Sequence, residues 1–511
     1  MKIRMKKFLA LIMTLLVAFG ILAGCGASEE GSNVDDIAEI TISYWPLAAV
    51  PDDENKAMVE DAINAITEEE IGVHVNLNIM DVGSYIPMGM MATGVANGED
   101  FDLVLTAPAL SGHYTAMTQN SMLTDISDLL TEYAPELLDT LPEDYLKATT
   151  DGDAVYGVPT YFDKVQNQYW ICKKSVADAA GINIEDVKTI DDVTAALEKI
   201  KAKFPEMNAI GGSARSLNVT YPGYAMAAGY DYQKYDVLGE STGVLAVVDI
   251  NDDTYTVQSR YESADFKADA ALVSQWYQDD LVNKDVATDT ATLQPLNEQP
   301  NTASVIYTGQ FNLVAAQCTG EEYVSAKIAT STISTSAMRQ FVWAVPVSCD
   351  EPEAAVKFMN MLYTDERIVN LVNYGVEGTH YVKNDDGTIG FPEGVTAETA
   401  KYNMGGLVAL IGNGFLAYTW EGGDPNTSQI AKEEMDNARY SPLIGFALDT
   451  STMGDTFAML SAIANEEYGP GIFSGSAPAG RLDEMINKLK AAGLDEYLAE
   501  AQRQVDEFVG Q

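Results

Sequence analysis

Past position 38 the chain alternates polar and apolar side chains in blocks. Glu39-Ile40-Thr41-Ile42-Ser43-Tyr44-Trp45 reads as a strand, because successive strand side chains face opposite sides. An acidic stretch with apolar positions at Met58, Ile63 and Ile66 follows at helical spacing. Val73-His74-Val75-Asn76-Leu77-Asn78-Ile79 alternates again, and Phe101-Asp102-Leu103-Val104-Leu105 is a third apolar segment after Gly98-Glu99-Asp100. Strand, helix, strand, helix, strand predicts a parallel sheet with crossover helices. Ligands of such sheets bind beyond the carboxyl ends of the strands. That places Tyr44, Trp45 and Thr106-Ala107-Pro108 at a binding edge.

The pattern then breaks and restarts. Gly152-Asp153-Ala154-Val155-Tyr156-Gly157-Val158-Pro159 is a turn and short strand closed by proline. Tyr169-Trp170-Ile171-Cys172 opens a second run, with helices expected over 190–204 and 266–281 and a strand at Ala303–Tyr307. A further strand, Phe341-Val342-Trp343-Ala344-Val345-Pro346, again ends in proline. The spacing of Val356, Met359 and Leu362 predicts a helix over 353–363. From Arg481 to Val509 the apolar positions predict two amphipathic helices broken at Gly493. The restart implies a second lobe with its own sheet, in an α/β fold. Asp249-Ile250-Asn251-Asp252-Asp253 begins like a calcium loop, but Thr254 and Arg260 stand where that loop needs Gly and Glu, so a hairpin turn is expected. Asn384-Asp385-Asp386-Gly387 is a second hairpin signal.

Ahead of these elements lie Lys2, Arg4, Lys6 and Lys7, an apolar run from Phe8 to Ala23, and Leu22-Ala23-Gly24-Cys25. A basic start and a short apolar run mark a secretory signal rather than a membrane span. Leu, two small residues and Cys resemble the lipobox of bacterial lipoproteins. The resemblance implies cleavage before Cys25, a lipid on its thiol, and a polar tether reaching to residue 37. Residues 1–24 carry four bases and no acids, so the formal charge of −46 becomes −50, with 26 bases against 76 acids. Such a surface repels phosphate backbones, so nucleic acid is no partner. Cys172, Cys318 and Cys349 are too few and too widely spaced for a disulfide framework. His74, His113 and His380 lie far apart, so no metal site or other cofactor is expected.

The order of these segments resembles the extracellular solute-binding proteins of ABC importers, in the maltose-binding-like group. The resemblance rests on the lipobox, Ile40–Trp45, Asp100–Val104, Tyr156-Gly157-Val158-Pro159, Ala303–Tyr307 running into Thr308-Gly309-Gln310-Phe311, and Trp343–Val347. Asn370-Leu371-Val372-Asn373-Tyr374-Gly375-Val376-Glu377-Gly378-Thr379-His380-Tyr381, Ser441–Phe446 and Ala501–Gln504 resemble a lipoprotein branch with a C-terminal domain of unknown function. The resemblance implies a two-lobed periplasmic-binding-protein-like fold that closes by a hinge over a solute, with Tyr156–Pro159 and Phe341–Pro346 as two hinge crossings. It implies a signal peptide (1–24), a tether (25–37), first-lobe segments 38–158 and 345–400, a second-lobe segment 159–344, and a C-terminal helical region 401–511 packing mainly on the second lobe. It further implies a protein held by lipid on the outer face of the cell membrane and partnered by ABC permease subunits.

A sugar presents an apolar C–H face and a rim of hydroxyls, which call for aromatic platforms and polar side chains. Tyr44 and Trp45 end the first strand. Tyr161 and Asp163 follow the first proline-ended strand, and Tyr221 and Tyr224 flank Pro222-Gly223. Phe311 stands where relatives place a stacking aromatic, and Trp420 lies beside Glu421-Gly422-Gly423-Asp424. Trp276, inside a helical stretch, is expected in the core, and Glu377 in a structural role. The expected function is delivery of an oligosaccharide to an importer. The alternatives are a peptide or other polar solute bound by the same fold, and a surface glycosidase, for which no catalytic motif is present.

Overall fold

The computed structural model describes residues 37–510 outside the segments 47–48, 82, 86–100, 107–113, 143, 166, 212–233, 239–244, 288–295, 297–298, 310–321, 331, 405–410 and 424. Cys25, Tyr221, Tyr224, Phe311, His113 and Cys318 lie outside the described residues.

Eight strands organise the molecule: β1 (Ala38–Tyr44), β2 (Val73–Ile79), β3 (Leu103–Thr106), β4 (Val158–Pro159), β5 (Asn167–Lys173), β6 (Ser304–Gly309), β7 (Tyr323–Thr330) and β8 (Val342–Ala344). The first sheet runs β2-β1-β3-β8-β4. β1 is parallel to β2 over its whole length and to β3, as the alternation predicts, whereas β8 is antiparallel to both β3 and β4. The crossover helix Asp53–Glu70 begins at Asp52, whose carboxylate accepts from the Asn55 N–H. The helix also covers the exposed edge of β2. Asn64 donates to the Val75 carbonyl (3.0 Å) and accepts from the Val75 N–H (2.7 Å). Glu60 accepts from the Leu77 N–H, and Lys56 donates to the Leu77 carbonyl. An open ladder edge is thereby closed by one helix face.

The second sheet, β6-β5-β7, is antiparallel, with all seven residues of β5 buried. Trp170 and Cys172 project into a core shared with the helices Ile190–Lys203 and Ala264–Gln278. Trp276 is buried there as expected, its indole N–H donating to Thr194 at 3.0 Å. Burial pushes the Cys172 thiol up to about 12, so it behaves as a small apolar side chain. Asp249 to Val257 is a hairpin turn between antiparallel strands, and Val382–Lys383 pairs with Ile389–Gly390 around Asp386-Gly387, both as expected. The helices Arg481–Ala491 and Leu494–Val509 meet at Gly493.

Among the described residues, the chain passes between the two cores at three places. Val165 belongs to the first core and Trp170 to the second; Ile328 to the second and Ile333 to the first; Met435 to the first and Leu443 to the second. The expected crossings Tyr156–Pro159 and Phe341–Pro346 lie instead side by side within the first sheet. Proline ends each of these strands, yet Val158 and Trp343 still face the first core. Likewise, Tyr402, Met404, Ile411, Ala417 and Met435 pack on the first core, so that changeover falls well after position 401.

The Asn370–Tyr381 segment is a structural corner. The helix Glu366–Tyr374 ends at Gly375, whose φ is +78°. His380 is buried and accepts at Nδ1 from the Val376 N–H (2.9 Å), so its Nε2–H donates to Asn55 Oδ1 (3.0 Å). Burial holds this imidazole below the usual histidine range. A Cβ on Gly375 would stand 2.5 Å from His380 Nδ1 and 3.0 Å from the Tyr402 ring, whereas one on Gly378, also at positive φ, would meet nothing within 4 Å. Gly378→Ala should therefore cost about 1 kcal/mol from backbone conformation alone. Gly375→Ala should cost roughly a further 1–3 kcal/mol for crowding. Thermal midpoints of the two variants check this, and equal losses would refute the packing argument.

Candidate functional site

The site assembles where the sheets hand over to one another. β4 is an edge strand, and its proline lacks an N–H to donate. The Tyr363 hydroxyl lies 3.0 Å and 2.9 Å from the Val158 and Pro159 carbonyl oxygens, and the Tyr145 hydroxyl donates to the Thr160 carbonyl at 2.8 Å. Gly157 allows close approach to β8, since a Cβ there would come within 2.8 Å of the Trp343 carbonyl oxygen. Thr160 N–H then donates to the Phe341 carbonyl at 3.0 Å, which joins the two segments just beyond the sheet.

A row of aromatic rings runs along this junction. Trp45 packs on Tyr85 (4.8 Å between centroids) and on Phe341 (6.1 Å), and Phe341 packs on Phe162 (6.4 Å). Tyr85 is fixed because its hydroxyl lies 2.8 Å from both the Ser43 and Leu105 carbonyl oxygens and accepts from the Leu105 N–H. Phe341 is only partly buried, whereas Trp45 and Phe162 are enclosed. The Lys164 ammonium nitrogen sits 4.0 Å above the Phe162 ring.

The helix Thr427–Asp436 clamps this row from the other side. Met435 Sδ accepts from the Lys164 N–H at 3.1 Å, and Lys432 donates to the Tyr161 hydroxyl. Glu434 accepts from Asn167 Nδ2 (2.7 Å) and pairs with Lys327 (3.0 Å), so it touches both β5 and β7. Asp163 is buried and accepts from the Val165 N–H at 2.9 Å. Burial above all, with the nearby Glu434 charge, pushes its carboxyl up to about 7, against the pull of the Val165 bond and Lys327.

The candidates read from sequence separate into groups. Trp45, Tyr161 and Asp163 come together here. Tyr161 is held edge-on between Tyr145 (5.2 Å) and Phe415 (4.9 Å), so its ring faces are used by packing. Tyr44 is a core residue, 1 % exposed, with its hydroxyl 3.2 Å from that of Tyr402 and its ring against Trp343. Trp420 belongs to another aromatic group, packed on Phe391 (4.4 Å) and Tyr374 (5.6 Å) beside the 382–390 hairpin. Sequence reading missed Phe162, Lys164, Asn167 and Glu434. Phe162 and Lys164 adjoin Tyr161 and Asp163, so the proline-ended strand before them was the available signal; Glu434, distant in sequence, had none.

A chain with parallel strands ending beside a junction of two sheets has the architecture of a binding protein. Residues 49–367, over half the chain, match the family of bacterial extracellular solute-binding proteins, and the protein belongs to that family. Its fold is the two-lobed α/β fold of that family and its place is extracytoplasmic. No helix among the described residues is long and apolar enough to cross a membrane. Residues 442–510 match a domain of unknown function (DUF3502). The chain is 24% identical over 501 residues to a carbohydrate ABC transporter substrate-binding protein of Streptococcus pneumoniae serotype 4, covering 96% of this chain and 95% of that one. It is similar to the crystal structure of the N-glycan transport solute-binding protein NgtS of Streptococcus pneumoniae, with TM-score 0.76 and 21% identity over 93% of this chain and 99% of that one. For NgtS in complex with Man1GlcNAc the TM-score is 0.66, with 20% identity over 93% and 100%.

Asp163 makes the site's cost measurable. Its folded-state pKa of about 7 lies above the ordinary value near 3.9, so the folded protein holds the proton between those limits. Stability from this group is full below about pH 4 and is lost as pH rises to about 7, a change of up to about 4 kcal/mol. Asp163→Asn should flatten that slope and raise the thermal midpoint at pH 8. Matched midpoints from pH 4.5 to 8 test this, and parallel profiles for the two proteins would refute it.

Proposed function

We propose that this protein is a lipid-anchored receptor that captures a neutral oligosaccharide by lobe closure and presents it to the permease of an ABC importer. The observation that carries the reading is the ring row Trp45–Phe341–Phe162, flanked by Asp163 and Lys164, at the junction of the two sheets. Flat apolar rings beside hydrogen-bonding groups match the C–H face and hydroxyl rim of a sugar. The names of the relatives support it, since one is a carbohydrate transporter component and NgtS has been crystallised with Man1GlcNAc. In this reading Phe341 offers its open face to a sugar ring and Trp45 backs it, with Tyr221, Tyr224 and Phe311 as further contacts. Tyr44 and Tyr161 brace the site from within. Closure over the junction excludes water, which strengthens each hydrogen bond to the ligand. The net charge of −46 disfavours anionic solutes. The protein binds and releases without turnover.

Residues 26–511, freed of the leader, are to be screened by thermal shift and titration calorimetry against Man1GlcNAc, Man5GlcNAc, other neutral glycans and short peptides. At about a hundredfold excess over Kd, a ligand of the folded state adds about 2.7 kcal/mol. A shift with glycans and none with peptides is expected. Shifts with peptides alone would transfer the assignment to a peptide receptor, and sustained release of shortened sugars would make the protein a glycosidase.

The anchor rests on the sequence Leu22-Ala23-Gly24-Cys25. In a host with lipoprotein processing, the wild type should partition with membranes and Cys25→Ser should lose lipid labelling and membrane retention. Equal membrane retention of both proteins would refute the anchor.

A further inference from the structure

A buried lysine is rare unless paired. Lys164 is 2 % exposed, and its ammonium nitrogen has no hydrogen-bond partner among the described residues. The shortage is not one of carboxylates, for the chain carries 76 acids against 30 bases. Glu434, on the helix that clamps this stretch, is instead engaged by Asn167 and Lys327. Four residues on, Gln168 is 1 % exposed, and both its amide nitrogen and amide oxygen are likewise without partners among the described residues. Leaving such groups buried and unmet costs about 1–3 kcal/mol each, so native structures hold few of them. Here Lys164 and Gln168, with Asn167 Oδ1 between them, fall within five residues, on the stretch that links the aromatic row to β5.

We infer that Lys164 and Gln168 are specificity-determining residues that read the hydroxyls of an uncharged sugar, the ligand completing the hydrogen bonds that the fold leaves open. The inference rests on the oligosaccharide reading above and adds to it the residues that select the sugar. Burial alone pushes the Lys164 amine well below the usual lysine range. The Lys164 amine donates in either protonation state, and the Gln168 amide both donates and accepts, so the two suit a hydroxyl, which does both. An acidic sugar would meet a strongly negative protein around the site. Selection at such a site is sharp, because an analogue lacking the hydroxyl leaves the same groups unmet again.

The experiment compares wild type with Lys164→Met and Gln168→Leu, which keep side-chain bulk and remove the polar atoms. Thermal midpoints without ligand are measured first, then affinities for Man1GlcNAc, Man5GlcNAc and sugars bearing a carboxylate. Both variants should fold with midpoints equal to or above wild type, and lose about tenfold or more in affinity for the neutral glycans, as expected for one or more lost hydrogen bonds. If Lys164→Met does not fold, Lys164→Gln replaces it, and the same discrimination between neutral glycans should change. Wild-type binding with unaltered affinity in the variants would overturn the inference while leaving the oligosaccharide reading intact, and would assign these atoms to ordered water. Preference of the wild type for acidic sugars would also overturn it. Binding of no sugar by the wild type would remove both readings together.

Discussion

Three chain crossings pinned against one another set the geometry on which everything else depends. Beyond Val165 the chain enters β5, where Asn167 pairs with Thr330 at the end of β7. The return crossing carries Ile333, whose N–H donates to the Arg439 carbonyl (2.8 Å) and whose carbonyl accepts from the Ser441 N–H (2.9 Å) on the third. Backbone bonds thus tie the second crossing to both others, and Glu434 adds a side-chain tie from the third to the first. Each crossing brings backbone groups out of a sheet and must satisfy them somewhere. Satisfying them on one another gathers the crossings into one place and leaves few torsions free to absorb a rotation of one lobe against the other.

The same arrangement accounts for what the sequence disclosed and what it concealed. β1 and β2 were plain, because half-buried strands write their two faces into alternate residues, and β2 follows that rule at every position. The terminal helices were plain because Gly493 interrupts a strong apolar stripe. β7 left little trace: its partner β5 is buried on both faces and its own pattern breaks at a bulge between Lys327 and Ala329. The crossings were displaced in the sequence reading for a related reason. Proline marks the end of a ladder, not the end of a core: Tyr161 and Val165 beyond β4, and Val345 beyond β8, remain in the first core.

The candidate site was legible only in part, since aromatic side chains serve cores and ligands alike. Tyr44 and Trp45 are neighbours on one strand end, yet one ring is enclosed between Trp343 and Tyr402 and the other heads the junction row. A strand's alternation separates them, but alternation does not say which face is the ligand's. Trp420 had a favourable local sequence and a different location, because its loop pairs with Ile389. The charged members escaped notice for a stronger reason. Nothing local distinguishes Lys164 or Glu434 from solvated charges on a highly acidic chain; tertiary structure alone confers the burial of Lys164 and the contacts of Glu434 with Asn167 and Lys327.

Buried polar groups are met unevenly across the molecule, and Asn373 also has neither amide atom matched among the described residues. In the first core, Asn64 satisfies both its amide groups on β2, and His380 is neutral with each ring nitrogen bonded. At the junction, by contrast, Asp163 is held toward its protonated form, Lys164 toward its neutral form, and Gln168 has neither amide atom matched among the described residues. Leaving the Lys164 and Gln168 polar atoms unmet costs stability, so folding alone does not explain the choice of these two residues. Departures from local consistency concentrate where a protein meets its ligand. An adjacent carboxyl and amine both driven toward neutrality make a surface of hydrogen-bond donors and acceptors with little net charge, which is the polarity of a sugar. In the proposed reading, the strongly acidic exterior turns anions away and the polar groups of the junction reward hydroxyls.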